Sequence, residues 1–211
     1  MFVTADPELV EPSRLLPLAM VRDTIHGTLR WSGHFLVNPW DDEGQLVDLA
    51  QYPRLARYLR RNAERLRARH VARRQPQRWY RTIDKVDASL TARPKLLFPD
   101  LKLTSEPVLD PGGCYPHHNL YYVTSDTWDP RVLGGLLMSK VAEAFIDAYA
   151  VKMRGGTLRF QAQYLRRICL PTEGQLTEAD RRALAEAFDR RDAAAATRAA
   201  LPLYGLNSVP D

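Results

Sequence analysis

The segment from Arg54 to Lys85 constrains this chain more than any other. It holds eleven arginines and one lysine against Glu64 and Asp84, a net of +10. So much uncompensated charge belongs on a surface. The apolar residues within it, Leu55, Tyr58, Leu59, Leu66 and less regularly Val71, recur near helical spacing. The stretch from Leu46 to Arg74 therefore reads as helix, with arginines on its remaining faces and Pro76 ending it. The whole chain carries +5, which leaves about −5 outside the block. A basic block on a mildly acidic body points to a polyanionic partner. Arginine also forks onto phosphate or a guanine edge in a way lysine cannot. The plain alternative is a solvated helix face. Against it, acids at i+4 are almost absent, so the charges are not balanced within the helix. Gln75, Gln77, Trp79 and Tyr80 follow, offering amide readers and stacking surfaces. An RNA partner remains open on these grounds.

The remainder has ordinary proportions. The 211 residues suffice for one large domain or two small ones. Apolar residues at 45% and charged residues at 26% are a soluble globular composition. No apolar run approaches the ~20 residues of a membrane helix. Met1 to Val10 lacks the basic flank, apolar run and cleavage site of a signal peptide. A cytoplasmic protein is expected, with Cys114 and Cys169 as free thiols and no zinc pattern.

The first 50 residues read as irregular or short-stranded, with one or two strands or a hairpin over Thr28 to Val37 and a turn at Asp41-Asp42-Glu43-Gly44. Lys95-Leu96-Leu97-Phe98 and Leu120-Tyr121-Tyr122-Val123-Thr124 read as strands. Asp129-Pro130 starts a helix whose wide apolar face runs from Val132 to Tyr149. Gly155-Gly156 is a sharp turn, and the alternation from Thr157 to Leu170 reads as a half-buried strand. Thr177 to Asp180 resembles an N-cap with early acids, and the Ala-rich stretch to Ala200 continues that helix. The expected fold is α+β: a twisted, mostly antiparallel sheet packed by helices, with an arginine-rich helix on one side.

Catalytic patterns are weak. Asn38-Pro39-Trp40 is close to the Asn/Asp-Pro-Pro-aromatic tetrapeptide of amino-methyltransferases, but the second proline is missing and no glycine-rich cofactor loop precedes it. A loop with a buried Trp is the better reading. His117-His118 could ligate a metal or act as a base in a small hydrolase or nuclease. Adjacent residues of an extended segment point to opposite faces, however, which favours a fold or DNA contact. The serines lack a nucleophile elbow, and nothing in the sequence around Cys114 identifies an activating partner.

Several segments together resemble one family. They include Leu15-Leu16-Pro17, Val21-Arg22-Asp23-Thr24, Arg30-Trp31-Ser32-Gly33 and Val37-Asn38-Pro39-Trp40. Further on stand Trp79-Tyr80-Arg81-Thr82-Ile83-Asp84, Pro94-Lys95-Leu96-Leu97 and Tyr115-Pro116-His117-His118-Asn119-Leu120-Tyr121-Tyr122. The longest runs from Leu158-Arg159-Phe160-Gln161-Ala162-Gln163-Tyr164 through Leu165-Arg166-Arg167-Ile168. Over roughly residues 2 to 171 the sequence resembles the C-terminal region of XhoI-type adenine-specific DNA modification methyltransferases, within the TaqI-like group. The resemblance implies a DNA target recognition domain over 1–171, followed by a helical tail over 172–211. It implies that catalysis and S-adenosylmethionine binding belong to another part of such enzymes. No cofactor and no catalytic residue are expected in this chain, which leaves a fragment, a split subunit or a decayed gene as alternatives.

The expected partner is double-stranded DNA in a restriction-modification setting. The chain would act either directly or as a specificity subunit beside a separate catalytic partner. The residues expected at the DNA are Arg60, Arg61, Arg67, Arg73 and Arg74 on the helix, Arg78, Trp79, Arg81 and Lys85 after it, and His117, His118 and Asn119 in a loop before a strand. The helix arginines, Arg60 to Arg74, would meet phosphates, and one or two residues of the later groups would reach base edges.

Overall fold

A computed structural model describes residues 1–150 and 158–208. It divides into two compact units between which the chain passes more than once. One comprises residues 1–19, 31–93 and 112–115, and the other residues 20–30, 94–111 and 116–211.

In the first unit, β1 (Val3–Thr4), β2 (Leu15–Ala19) and β3 (Phe35–Val37) form an antiparallel sheet with β3 in the middle. Leu15, Leu16 and Pro17 stand opposite Val37, Leu36 and Phe35. Of the stretch expected to be extended from Thr28, only Phe35–Val37 is strand; Gly33 turns at φ +76° just before it. The turn at Asp41 to Gly44 is as expected, closed by Gly44 N–H on the Asp41 carbonyl at 3.1 Å.

The expected long arginine-rich helix is not found. Three short helices replace it: α1 (Pro53–Arg61), α2 (Ala63–Arg67) and α3 (His70–Arg74). Asn62 leaves helical geometry at φ −104°, ψ 11°, and its side-chain amide donates back to the Tyr58 carbonyl at 3.0 Å. Arg69 is extended, at φ −68°, ψ 145°, which separates α2 from α3. Leu55, Leu59 and Leu66 nevertheless reach one core with Val10, Val37 and Val47. Tyr58, Trp79 and Tyr80 pack at its margin. Glu11, 43 residues upstream of Arg54, caps α1: its carboxylate accepts from Arg54 N–H at 2.7 Å and Leu55 N–H at 2.9 Å.

In the second unit, β4 (Lys95–Pro99) is buried along its whole length. After it come β5 (Leu101–Lys102), β6 (Val108–Asp110), β7 (Tyr115–Pro116) and β8 (Leu120–Val123). β7 completes the first unit's sheet beside β2, whereas β4 lies antiparallel between β6 and β8. Lys95 and Asp110 face each other across β4 and β6 as a buried ion pair of 2.9 Å.

The helix expected from Val132 to Tyr149 is two helices, α4 (Pro130–Met138) and α5 (Lys140–Tyr149). Ser139 divides them; its hydroxyl donates to the Leu136 carbonyl and accepts from Ala142 N–H. The break shifts the apolar stripe. α5 buries Val141, Ala142, Glu143 and Ile146, while Ala148 and Tyr149 face solvent. Asp129 caps α4 with Pro130 at its first position, as the sequence led one to expect.

The strand expected from Thr157 to Leu170 shrinks to β9 (Leu158–Arg159), paired with β5, before α6 (Ala162–Leu165) begins. Phe160 is buried and stacks on Phe98, with centroids 6.1 Å apart, and the chain turns there. The expected turn at Gly155-Gly156 and Thr157 itself lie outside the described residues.

Thr177 caps α7 (Glu178–Asp189) through a hydrogen bond from Asp180 N–H. The Ala-rich stretch does not continue that helix. It forms α8 (Ala193–Ala200), capped afresh by Asp192 after Arg191 turns at φ +56°. α7 packs closely on α4: a methyl added at Gly135 would lie 2.4 Å from the Leu184 carbonyl oxygen. Beyond the arginine-rich helix, the α+β class with mostly antiparallel pairing stands. Among the described residues no helix is long and apolar enough to cross a membrane.

Candidate nucleic-acid interface

The arginines of the first unit divide into two groups by what they touch. On α1, burial of Leu55, Ala56 and Leu59 leaves Arg57, Arg60 and Arg61 exposed on the other side. Arg65 and Arg67 on α2, and Arg73 and Arg74 on α3, are exposed as well. Among the described residues, no carboxylate is within ion-pair distance of Arg57, Arg60, Arg61, Arg65, Arg73 or Arg74. Apart from Glu64 on α2, the charge presented along three successive helices is positive, and among the described residues it lacks carboxylate partners.

The second group is built into the fold. Arg69 donates to the carbonyls of Leu66 at 3.1 Å, Trp79 at 3.0 Å and Arg81 at 2.6 Å. It is a strap from the α2–α3 break to the following loop. Burial, and secondarily the charge of Arg81, lower its pKa. Arg81 is also held, donating to Gln75 Oε1 at 2.8 Å and to the carbonyls of Thr82 and Ile83.

Aromatic rings organise the rest. The guanidinium groups of Arg78 and Arg81 each lie 5.7 Å from the centroid of the Trp40 ring. Trp40 is buried, and its indole N–H donates to Thr82 Oγ1 at 2.7 Å. Asn38 Oδ1 accepts from Trp40 N–H at 3.0 Å, so the Asn-Pro-Trp segment is occupied in shaping its own turn. Arg67 covers Trp79 at 5.0 Å, and Trp79 meets Tyr80 edge-on. Trp79 is therefore a half-buried ring already under a cation rather than an open stacking platform. Lys85 is exposed, but its side chain lies over Gly44, with Nζ 3.5 Å from the Glu43 carbonyl oxygen.

Near the end of α3 an open cavity of about 370 Å³ is lined by His70, Val71, Arg74, Gln75 and Arg81. His70 is a contributor that reasoning from the sequence did not select, whereas Gln75 was among the amide readers it offered. Arg57 was also missed among the exposed arginines, although it stands three and four residues before Arg60 and Arg61, on one helix face.

His117, His118 and Asn119 belong to the second unit, just ahead of β8. His117 is half-buried; His118 and Asn119 are exposed. The expectation that the two rings point to opposite faces fails. Their centroids are 4.0 Å apart, because a turn rather than extended chain begins at His118. His117 Nδ1 accepts from Asn119 N–H at 3.4 Å. Burial, and then the neighbouring His118, lower the His117 pKa, favouring the neutral ring. Among the described residues no three metal-binding side chains gather at one place.

No protein-family model matches the chain. It is 51% identical over 198 residues to the type II methyltransferase M.PaeR7I of Pseudomonas aeruginosa, covering 94% of this chain and 34% of that protein. It is 50% identical over 200 residues to M.XhoI of Xanthomonas vasicola, covering 95% of this chain and 37% of the relative. With M.BstVI of Geobacillus stearothermophilus it shares 45% over 174 residues, 82% of this chain and 31% of the relative. The chain spans about a third of the length of these relatives.

Among solved structures, the type IIL restriction-modification enzyme MmeI in complex with DNA matches all of this chain with 32% of its own, at a TM-score of 0.65 and 14% identity. The type IIG restriction endonuclease BpuSI matches 86% of the chain with 22% of its own, at 0.51 and 13%. At such identities these likenesses concern the fold.

Proposed function

We propose that the chain, as the counterpart of one segment of XhoI-type type II methyltransferases, is their DNA target recognition region, serving adenine-specific modification in a restriction-modification system. Residues 1–171 would carry recognition, with the helices of the 172–208 segment bracing the second unit. The observation that carries this reading is the set of exposed guanidinium groups of Arg57, Arg60, Arg61, Arg65, Arg73 and Arg74, which have no carboxylate partner among the described residues. Such groups neutralise phosphates and set register along a duplex. Arg78 and the His117–Asn119 loop would stand nearer the bases. Arg69 is reassigned to holding the loop.

Methyl transfer would reside in a separate catalytic part that holds S-adenosylmethionine. The cavity at Arg74 and Arg81 does not suit that cofactor, whose sulfonium would be repelled by two guanidinium groups.

Titration of the purified chain into random-sequence duplex DNA at two salt concentrations, with and without S-adenosylmethionine, tests the proposal. Salt-sensitive binding indifferent to the cofactor is expected. Absence of binding at low salt, both alone and with a catalytic partner added, would overturn it.

A further inference from the structure

The cavity at the end of α3 differs from the open arginine surface beside it. Its lining side chains are two guanidinium groups, an amide and an imidazole beside Val71. Arg74 is exposed and lacks an ion-pair partner among the described residues. Arg81 has five N–H groups, and its bonds to Gln75 Oε1, Thr82 O and Ile83 O immobilise it without exhausting them. Since Gln75 Oε1 is engaged by Arg81, the amide turns its N–H donors to other uses. His70 stands one helical turn before Arg74 on the same face. No carboxylate lines the cavity.

We propose that this cavity seats one phosphate group, with Arg74 and Arg81 as charged donors and Gln75 as the neutral donor between them. A donor-lined, doubly cationic site is complementary to an anion that only accepts hydrogen bonds. A guanine edge presents two coplanar acceptors and is met by a single fork. Here the donors come from three side chains, which suits a tetrahedral group. The inference rests on the DNA-recognition reading and deepens it, for it names one seat at which a backbone phosphodiester is held. Inorganic phosphate or a free nucleotide offers the same chemistry, and the experiment separates these sources.

Two variants of the full chain serve. Gln75→Glu keeps an oxygen acceptor for Arg81 while replacing the amide donor with a negative charge. Arg74→Ala removes one exposed cation. Arg60→Ala, on the open surface, is the reference, and thermal melting establishes that each is folded. In duplex titrations over a salt series, Gln75→Glu is expected to weaken binding by about tenfold or more. Arg74→Ala should lower the salt slope by about 0.9, equally for all sequences. If Arg60→Ala loses affinity but both cavity variants bind like the wild type, the seat is wrong and the DNA reading survives. A loss confined to duplexes carrying guanine at one position would also overturn the seat, in favour of base reading.

The second arm follows the His70 ring and Gln75 amide signals by NMR while inorganic phosphate, or a short duplex, is added. Movement with the duplex, abolished in Gln75→Glu, supports a backbone phosphodiester. Movement with inorganic phosphate but no duplex binding keeps the seat and removes the DNA reading. Indifference of both signals to both probes overturns the seat.

Discussion

Replacing Arg57, Arg60 and Arg61 together by Ala tests whether the exposed face of α1 lies along a duplex. These side chains are at i, i+3 and i+4, so they project from one face. The helix rises about 6 Å between the first and the last. The same length of duplex axis carries about three to four phosphate charges. Three arginine–phosphate pairs are therefore geometrically available, and not many more. Each phosphate left unneutralised should reduce the slope of log affinity against log salt by about 0.9, so the triple variant's slope should be shallower by about 2.7. Raising salt from about 50 to about 200 mM, the excess weakening of the wild type over the variant is then about 40-fold. Stability should hardly change, because exposed substitutions of this kind usually stay within about 0.5 kcal/mol and Ala favours the helix. Fluorescence anisotropy with a labelled random-sequence duplex, over a salt series, supplies the slopes. An unchanged slope in a folded variant would refute the assignment of α1 to the DNA. A loss of affinity with an unchanged slope would refute the phosphate argument in particular.

Other consequences concern the framework. Glu11→Gln should weaken the cap of α1 and cost about 1 kcal/mol in denaturant unfolding. Burial works to raise the Glu11 pKa, yet the hydrogen bonds to the start of α1 outweigh it and hold the pKa below the ordinary carboxyl value. The charged form's contribution is consequently present above the unfolded-state pKa and fades as pH falls through the folded one. The gap between wild type and variant should narrow on acidification; a gap that widens would contradict this sign. Gly135→Ala should cost about 1–3 kcal/mol, since the new methyl meets the Leu184 backbone oxygen rather than a movable side chain. A melting curve like that of the wild type would mean that α4 and α7 are not so close. By NMR titration, His117 should protonate below the usual imidazole pKa, and His118→Ala should recover part of the shift, burial accounting for what remains.

What the sequence reveals in advance here depends on how locally each feature is determined. Asp129 and Thr177 cap helices through bonds to residues two or three positions ahead, so residue type and spacing suffice. The breaks are another matter. Arg69 leaves the helix with its guanidinium bound to carbonyls 10 and 12 residues away, and those acceptors are placed by the fold. Helical apolar spacing survives across Asn62 because α1 and α2 serve one core, which is why periodicity alone suggests a single helix there. From Leu158 to Ile168 the apolar residues fit an alternating strand and a short helix about equally. Burial of Phe160 against Phe98, some sixty residues earlier, decides in favour of the turn.

The candidate site follows the same division. Net charge and arginine density were legible because they add up along the chain. The difference between a cation that holds the loop and one left for a ligand was not, since Arg69 and Arg74 are alike until their partners are known. The cavity needs Arg81 returned to the end of α3 by Arg69 and Gln75. Rigid placement of Arg81 lowers the entropy lost when it meets a ligand. The freer guanidinium groups of α1 retain the adaptability that general attraction to a duplex requires. On the proposed DNA-recognition reading, a region that slides along a duplex and stops on it would have use for both kinds. On this view, substitutions of the strap Arg69 should impair stopping more than sliding, because they loosen Arg81 while leaving the exposed charge of α1 intact.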